Sequence, residues 1–271
     1  MSRKISERKY ITYNIASLFK FYETTFATIS FDWIETHSSA AKITKSADNS
    51  GIVLFDSKGT RLSDDQEIWQ MEVAGPPWNP TTTHTINDTK KTFQSDILNL
   101  VSILRNNLDC SIDLATKIKV FCTQAISTRL TLYALNMLPD GRFLATELAS
   151  AIIPFSWSGR SKYKVILLMM SIFHEELTKQ EELMEEISLC SSSTNGITVR
   201  QVLRLLAEVL KFFKTNGGPA TSICHISWSS DNLVPLESKR TIPELSADFV
   251  IFAALEWVSI QSKLIVANVV S

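Results

Sequence analysis

Residues 67–77 have the sequence Glu-Ile-Trp-Gln-Met-Glu-Val-Ala-Gly-Pro-Pro, and this stretch decides the fold. The apolar run from Ile68 to Ala74 predicts a strand. Gly75-Pro76-Pro77 predicts its end, because prolines donate no hydrogen bond to a neighbouring strand. Side chains alternate between the two faces of a strand, so Glu72 shares a face with Gln70. A carboxylate in so apolar a strand needs a partner, either a basic side chain or a cation.

A second strand is predicted just before this one. Asp48-Asn49-Ser50-Gly51 is typical of a turn, Ile52–Phe55 is a short apolar run, and residues 57–65 form a polar loop. We expect an antiparallel hairpin centred near residues 61–62. That register places Asp48 at the same open end of the hairpin as Glu72.

The hairpin register also selects a partner for Glu72. Asp56 is predicted beside Glu67, about five residues from Glu72, and at about 3.3 Å per residue the separation is roughly 16 Å, too far to share an ion. Asp48 is therefore the predicted partner. Two carboxylates at one end of a sheet can bind Mg²⁺ or Mn²⁺, with the carbonyl of Val73 as a third oxygen ligand. Such an ion can activate water and stabilise the charge on a scissile phosphate.

A helix is predicted from Ile86, where Thr85 and Asp88 resemble a capping box. Its apolar stripe consists of Phe93, Ile97, Leu100, Val101 and Leu104. Lys90 lies on the stripe that faces the sheet, one turn into the helix, whereas Lys91 is offset by about 100°. Lys90 is therefore the lysine expected to reach the open end of the hairpin.

The remaining elements follow from the spacing of apolar residues. They are one or two helices within 10–40, a helix over Ile112–Ile126, strands Leu130–Met137 and Phe143–Ile153 around Pro139-Asp140-Gly141, and helices at about 160–189 and 197–214. The order predicts an α/β or α+β domain with a mixed four-stranded sheet, confined to residues 51–153 and flanked by helices. A Ser-rich stretch at 191–196 predicts a boundary between a domain of residues 1–190 and a helical extension of residues 191–271.

Composition and charge exclude several classes of protein. The chain has 271 residues, 45% of them hydrophobic, which excludes a chain disordered throughout. Its 27 basic and 28 acidic residues give a net charge of −1, so any contact with nucleic acid must come from a local basic patch. The predicted helix 197–214, where four basic residues and one acidic residue give +3, is one candidate. It can contact phosphates or dock on the acidic helix of residues 174–187, and docking is the favoured interpretation. No protein partner can be identified from the sequence.

Cysteine usage and apolar runs bear on the compartment. The four cysteines form no CxxC pair, so neither a zinc ribbon nor a disulfide framework is indicated, and a reducing compartment, cytoplasmic or nuclear, is predicted. No apolar run follows the basic N-terminus, so no secretory signal is expected. Residues 249–270 are apolar but interrupted by Glu256, Gln261 and Lys263, which favours a buried segment over a membrane anchor.

Several of these segments resemble a known nuclease core. Lys45–Gly51 and Met71–Gly75, followed by a helix, resemble the PD-(D/E)XK nucleases. Phe31–Glu35, Met71–Pro77 and His84–Thr89 are similar to a family of fungal proteins with a degenerate core of that type, and the resemblance covers roughly residues 30–190. It implies a restriction-endonuclease-like fold and a metal-dependent nuclease of weak or no activity.

The resemblance also implies roles for individual residues. Asp48 and Glu72 would ligate the metal ion and take part in catalysis, and a catalytic lysine would stand two residues after the glutamate. Here that position is Ala74. Some nucleases of this type carry the lysine on the following helix, and Lys90 is the candidate for that role.

Plainer interpretations of the same residues stay open. Asp48 can be a turn residue, Glu72 can pair with a basic side chain such as Arg61, and Lys90 can pack its stem on the protein with its ammonium in water. Three functional hypotheses follow. They are a metal-dependent nuclease, a non-catalytic nucleic-acid or protein binding module with the same fold, and a helical interaction domain whose strands are only structural.

Overall fold

The described part of the chain contains six strands rather than the predicted four. The computed structural model describes residues 5–37, 54–75, 78, 82–190 and 196–203, apart from the side chains of residues 82–87, 90 and 190. The strands, in the same order along the chain and across the sheet, are β1 (Ile29–His37), β2 (Leu54–Arg61), β3 (Glu67–Val73), β4 (Lys119–Ile126), β5 (Arg129–Met137) and β6 (Phe143–Ile152). Strands β3 and β4 are parallel, and every other neighbouring pair is antiparallel. The fold is α+β with one mixed sheet.

Helices flank this sheet. An N-terminal helical segment consists of α1 (Glu7–Tyr10), a π-helical turn (Ile11–Ile15) and α2 (Ala16–Phe26). The long helix α3 (Thr82–Asn106) and the short helix α4 (Ile112–Ala115) connect β3 to β4, and a 3₁₀ helix (Trp157–Lys162) and α5 (Tyr163–Cys190) follow β6. None of the helices that the structure describes has the length and hydrophobicity of a membrane-spanning segment.

Two ring contacts show which helix covers which face of the sheet. Phe93 of α3 packs edge-on against Tyr133 of β5, and Phe173 of α5 packs edge-on against Phe121 of β4, each with centroids 5.6 Å apart. Tyr133 pairs with Cys122, the residue after Phe121. Because consecutive strand residues point to opposite faces, α3 and α5 lie on opposite sides of the sheet.

The face opposite α3 carries an aromatic core. The fully buried ring of Trp69 has its centroid 4.7 Å from Phe19 of α2 and 5.0 Å from Phe31 of β1, and its indole Nε1 donates a 3.0 Å hydrogen bond to Thr123 Oγ1. Burial of one such ring stabilises the fold by about 1.5–3 kcal/mol. These contacts hold the N-terminal helical segment on the sheet.

Two stretches that were predicted to be helical contain strands. Ile29–His37, within the predicted helices of residues 10–40, is the edge strand β1, and its buried residues Ile29 and Phe31 alternate with more exposed ones. Lys119–Ile126, within the helix predicted over Ile112–Ile126, is the central strand β4. Residues 120–125 are buried because both faces of a central strand are covered, so the sequence pattern lacks the alternation that marks an exposed strand.

Strand β2 is longer than predicted, and this changes the hairpin. It runs to Arg61, through most of the polar segment that was predicted to be a loop, and the turn occupies residues 62–64. Ser57 pairs with Met71, so the hairpin is centred near residue 64 rather than 61–62. The predicted register is therefore wrong, and Asp56 lies next to Glu72 instead of Glu67.

Other elements agree more closely with the sequence. The β5–β6 hairpin around residues 139–141 and a long helix over most of residues 160–189 are confirmed, the latter as α5. Helix α3 begins at Thr82, so Thr85 lies inside the helix and the predicted capping box is wrong.

The end of the described chain packs on the same core. The Val199 amide donates to the Cys110 carbonyl at 3.0 Å, Arg200 forms an ion pair with Asp109, and Val202 is buried. The division of the chain at residues 190 and 191 stays a prediction. The apolar segment 249–270 lies outside the described residues.

Candidate functional site

A row of polar side chains crosses the sheet at the level of Glu72. Glu72 pairs with Gln124 of β4, Gln124 with Thr131 of β5, and Thr131 with Ser150 of β6. Asp56 of β2 extends the row on the other side of Glu72, because the preceding pair is Ser57 with Met71. The row lies at the carboxyl ends of β3, β4 and β6.

Glu72 is the most buried acid of this row. It is only 5% exposed. Its Oε1 accepts a hydrogen bond from Lys91 Nζ at 2.5 Å, and the two side chains form an ion pair. The pKa of Glu72 is raised to about 8: burial is the largest cause, the negative charges of Asp56 and Asp88 also raise it, and Lys91 lowers it. The position therefore disfavours an isolated negative charge and favours a nearby cation.

Asp56 is held in place by the backbone of β3. Its Oδ2 accepts a 2.8 Å hydrogen bond from the amide of Val73. Burial raises the pKa of Asp56 above its ordinary value, and the charges of Asp88 and Glu35 raise it too, whereas the Val73 amide and Lys91 lower it. Two carboxylates that each resist ionisation thus lie side by side on neighbouring strands.

The position of Lys91 depends on a buried contact between α3 and β3. Gln70, on the same face of β3 as Glu72, donates from Nε2 to the Thr92 carbonyl at 2.6 Å and to Asp96 Oδ1 at 2.7 Å. All three of these residues are fully buried. Because Lys91 immediately precedes Thr92, this contact sets Lys91 beside Glu72.

The Lys91 ammonium faces both the acid and an aromatic ring. Its Nζ lies 5.8 Å from the centroid of the Phe55 ring, and the side chain is partly exposed, whereas that of Glu72 is buried. Lys91 therefore stands between the buried carboxylate and solvent. From this position its ammonium can bind an anion that approaches the site from solvent.

The donor set suits a hard divalent cation held by carboxylate oxygens. Such ions prefer oxygen ligands, and a cation beside Asp56 and Glu72 would relieve the cost of ionising both acids. Within the described residues no group of three or more His, Cys, Asp and Glu side chains is placed to hold a metal ion, so the protein would supply two carboxylates and backbone oxygen. Next to Glu72, the buried Gln124 Nε2 has no hydrogen-bond partner among the described residues.

The predicted site residues have different outcomes. Asp48 lies outside the described residues, and so does the side chain of Lys90, whose backbone belongs to α3. Val73 lies at the site, where its amide binds Asp56 and its carbonyl accepts a 2.8 Å hydrogen bond from the Gly75 amide. The partner of Glu72 is a lysine and not Arg61.

Asp56 and Lys91 both lie beside Glu72, although the sequence pattern favoured Asp48 and Lys90 for these two positions. The turn-forming run Ser63-Asp64-Asp65 indicated a later hairpin turn, and centring the hairpin there brings Asp56 opposite Glu72. The sequence holds no comparable indication for Lys91, because its position depends on the Gln70 contact.

Asp56, Glu72 and Lys91 thus form a compact site of two acids and one base at one end of the sheet. Arg61, the basic residue that the sequence offered to Glu72, pairs with Asp64 instead. No protein-family model, no curated protein and no solved structure matches the chain, so the chemistry of these three side chains has to carry any functional assignment.

Proposed function

We propose that the protein is a divergent, weakly active nuclease of the PD-(D/E)XK type, in which Asp56 and Glu72 hold Mg²⁺ or Mn²⁺. The observation that carries this proposal is the juxtaposition of two carboxylates with raised pKa values on adjacent strands, that of Glu72 buried and that of Asp56 partly buried. Asp56 takes the role that the sequence suggested for Asp48, and Lys91 takes the one suggested for Lys90. The restriction-endonuclease-like fold is part of the same proposal.

A bound divalent cation would supply an acidic water molecule and charge stabilisation at the phosphate. The protein's own residues prepare the site for it. The Val73 amide orients Asp56, and Glu72 is buried between β3 and α3, which excludes bulk water from it. The Val73 carbonyl is the candidate third oxygen.

Lys91 is suited to the electrostatic role of the missing motif lysine. Its ammonium is partly exposed and lies at the acids, so it can donate hydrogen bonds to a phosphate oxygen as negative charge develops there. In the structure the same ammonium neutralises Glu72. Lys91 must therefore leave Glu72 or share it with the cation, and Ala74 offers no second lysine, which is why we propose weak activity.

The Lys91–Glu72 ion pair also favours a second candidate function. An acid that already has a basic partner needs no metal ion, so the same fold could serve as a non-catalytic module that binds nucleic acid or protein. The two candidates differ in their dependence on divalent cations.

A cleavage assay separates them. Single- and double-stranded DNA and RNA substrates are incubated with Mn²⁺ or Mg²⁺ and with the wild type, Asp56→Asn, Glu72→Gln or Lys91→Met. We expect cation-dependent cleavage by the wild type and a loss of at least about a hundredfold in each variant. The matched controls are Glu147→Gln, which removes an exposed acid of β6, and Lys179→Met, which removes an ion-paired lysine of α5.

Cleavage that persists in EDTA or in Asp56→Asn contradicts the nuclease proposal. A wild type that cleaves nothing but binds nucleic acid or protein supports the non-catalytic module.

A further inference from the structure

The segment that follows β6 exposes an aromatic ring to an unusual degree. Trp157, in the 3₁₀ helix, is 81% exposed, and Tyr163 at the start of α5 is also exposed. The guanidinium of Arg160 lies 4.8 Å from the centroid of the Trp157 ring, and its Nη1 donates to the Trp157 carbonyl at 3.1 Å. The indole is therefore held by Arg160 on one side and remains open to solvent.

The same segment is uniformly basic. Arg160, Lys162 and Lys164 are exposed, and the sequence contains no Asp or Glu between Glu147 and Glu175. Among the described residues none of these three cations takes part in an ion pair. Three adjacent positive charges contrast with the net charge of −1 for the whole chain.

A shallow groove runs beside these residues. It has a volume of about 420 Å³ and is lined by Ser158, Arg160, Ser161, Tyr163, Lys164 and Leu167. Its lining thus combines hydroxyl groups, cations and an aromatic ring. We name Trp157, Arg160, Lys162, Tyr163 and Lys164 the basic-aromatic surface.

The basic-aromatic surface starts at the same end of the sheet as the two acids. Val73 pairs with Ala125, Ala125 with Leu130, and Leu130 with Ala151, so Ala151 of β6 lies in the cross-strand row next to that of Glu72. The chain leaves the sheet immediately afterwards. Three strand spacings, roughly 14 Å, separate β6 from β3 at this level.

We propose that the basic-aromatic surface binds single-stranded nucleic acid, with a base stacked on Trp157 and phosphates contacted by Arg160, Lys162 and Lys164. Unpaired bases expose the flat faces that stack on aromatic side chains, whereas the bases of a duplex are stacked on one another. That single-stranded nucleic acid is also the substrate rests on the proposed nuclease function. That it binds to this surface depends only on the residues of the basic-aromatic surface. A membrane with anionic lipids would offer the same charge, but a single exposed aromatic ring among three cations suits stacking of one unpaired base between phosphate contacts, so we favour nucleic acid.

Fluorescence anisotropy of labelled oligothymidylate and oligouridylate, measured in EDTA, tests the proposal. We expect Trp157→Ala to weaken binding at least about fivefold, because base stacking on one aromatic side chain has an effect of that order. Trp157→Phe should retain most of the affinity, since it keeps a ring. Arg160→Gln and Lys164→Gln should each reduce the slope of log affinity against log salt by about 0.7.

Matched controls use similar residues elsewhere. Tyr13 is 74% exposed on the N-terminal helical segment, and Arg142 lies at the β5–β6 turn, the opposite end of the sheet, so Tyr13→Ala and Arg142→Gln should bind as the wild type does. Circular dichroism confirms that the variants are folded. Because the measurement is made in EDTA, without a divalent cation, a failure of the metal chemistry leaves it unaffected.

Three results would overturn the proposal. The first is equal affinity of wild type and Trp157→Ala for both oligonucleotides, including no binding by either protein. The second is tighter binding of a duplex than of its separate strands. The third is binding to vesicles of phosphatidylcholine and phosphatidylserine without binding to the oligonucleotides, which would assign the surface to anionic lipid.

Discussion

Glu72 has a high cost in this fold, since a carboxylate that is almost fully buried loses its hydration. Lys91 offsets part of that cost at 2.5 Å, but the pKa of Glu72 is still raised to about 8 by burial. An apolar side chain would fill the position at lower cost. A binding role for the acid explains its presence better than stability does.

The raised pKa predicts how cation binding depends on pH. Lys91 pairs with the ionised form of Glu72, but with the pKa of Glu72 raised to about 8 a proton competes with the cation for this carboxylate below that pH. We expect the affinity for Mg²⁺ to rise with pH by up to about tenfold per unit and to level off above pH about 8. Calorimetric titrations in buffers of different ionisation enthalpy should show the release of one proton. An affinity that is flat below this pH would contradict the assignment. Glu147→Gln leaves both acids of the site in place and is the control that should keep the same dependence.

The residues that complete the site show what a sequence can predict at this scale. Glu72 stands out because a carboxylate in an apolar strand needs a partner, and the structure supplies one. Asp56 was excluded by a hairpin register that was wrong by a few residues, and such an error changes which side chains are neighbours. Lys91 depends on a tertiary contact, which sequence spacing on α3 alone cannot give.

Among the elements, α3 is unusual in burying a polar stripe against the sheet. Gln70 connects β3 to Thr92 and Asp96 of α3, and burial raises the pKa of Asp96 well above its ordinary value. The Cys122 thiol of β4 lies close enough to hydrogen-bond the same acid. This interior contact fixes the helix that carries Lys91.

Asp96→Asn tests the contact through its pH dependence. An acid whose pKa is raised in the folded state stabilises the fold fully below its ordinary pKa of 3.8, and that contribution is lost as the pH rises through the folded value. Asparagine does not ionise. The free energy of unfolding of the wild type, minus that of Asp96→Asn, should therefore decrease as the pH increases, as measured by urea denaturation. A difference that is independent of pH would show that Asp96 is not protonated in the fold; the exposed Asp113→Asn is the control.

The close packing of side chains from β1 and β3 over β2 depends on a glycine. A Cβ at Gly59 would lie 2.6 Å from Ile29 Cδ1 and 3.2 Å from both Phe31 Cε1 and Trp69 Cβ, all in the buried aromatic core. We expect Gly59→Ala to lower the free energy of unfolding by about 1–3 kcal/mol. Gly196→Ala, which meets no atom within 4 Å, should change it by less than about 0.5 kcal/mol. Equal urea midpoints for the two variants would contradict this packing.

Sequence patterns predicted the elements unevenly, for physical reasons. The β5–β6 hairpin and α5 follow from local turn residues and a long periodic stretch. Strand β4 was predicted as a helix because its burial on both faces removes the alternation that distinguishes a strand. The parallel pairing of β3 with β4 joins residues separated by the whole of α3, so no local pattern reports it.

At the scale of the molecule, the sheet brings its polar groups to one end. Asp56, Glu72, Gln124, Thr131 and Ser150 form a row across five strands, and the basic-aromatic surface begins where the last of these strands ends. The aromatic core covers the opposite face of the sheet, and the Gln70 contact fixes α3 to β3 on the face that carries the row. A site of this kind requires the complete sheet, not the hairpin alone.

Calorimetric titration of Mg²⁺ and Mn²⁺ into the wild type, Asp56→Asn and Glu72→Gln, with Glu147→Gln as control, tests most directly whether the two acids form one cation site. We expect a saturable heat for the wild type and for Glu147→Gln, and its loss in both Asp56→Asn and Glu72→Gln, because each removes one of two carboxylates that share the ion. Heats that are the same in all four proteins, or an absence of binding by the wild type, would contradict the account.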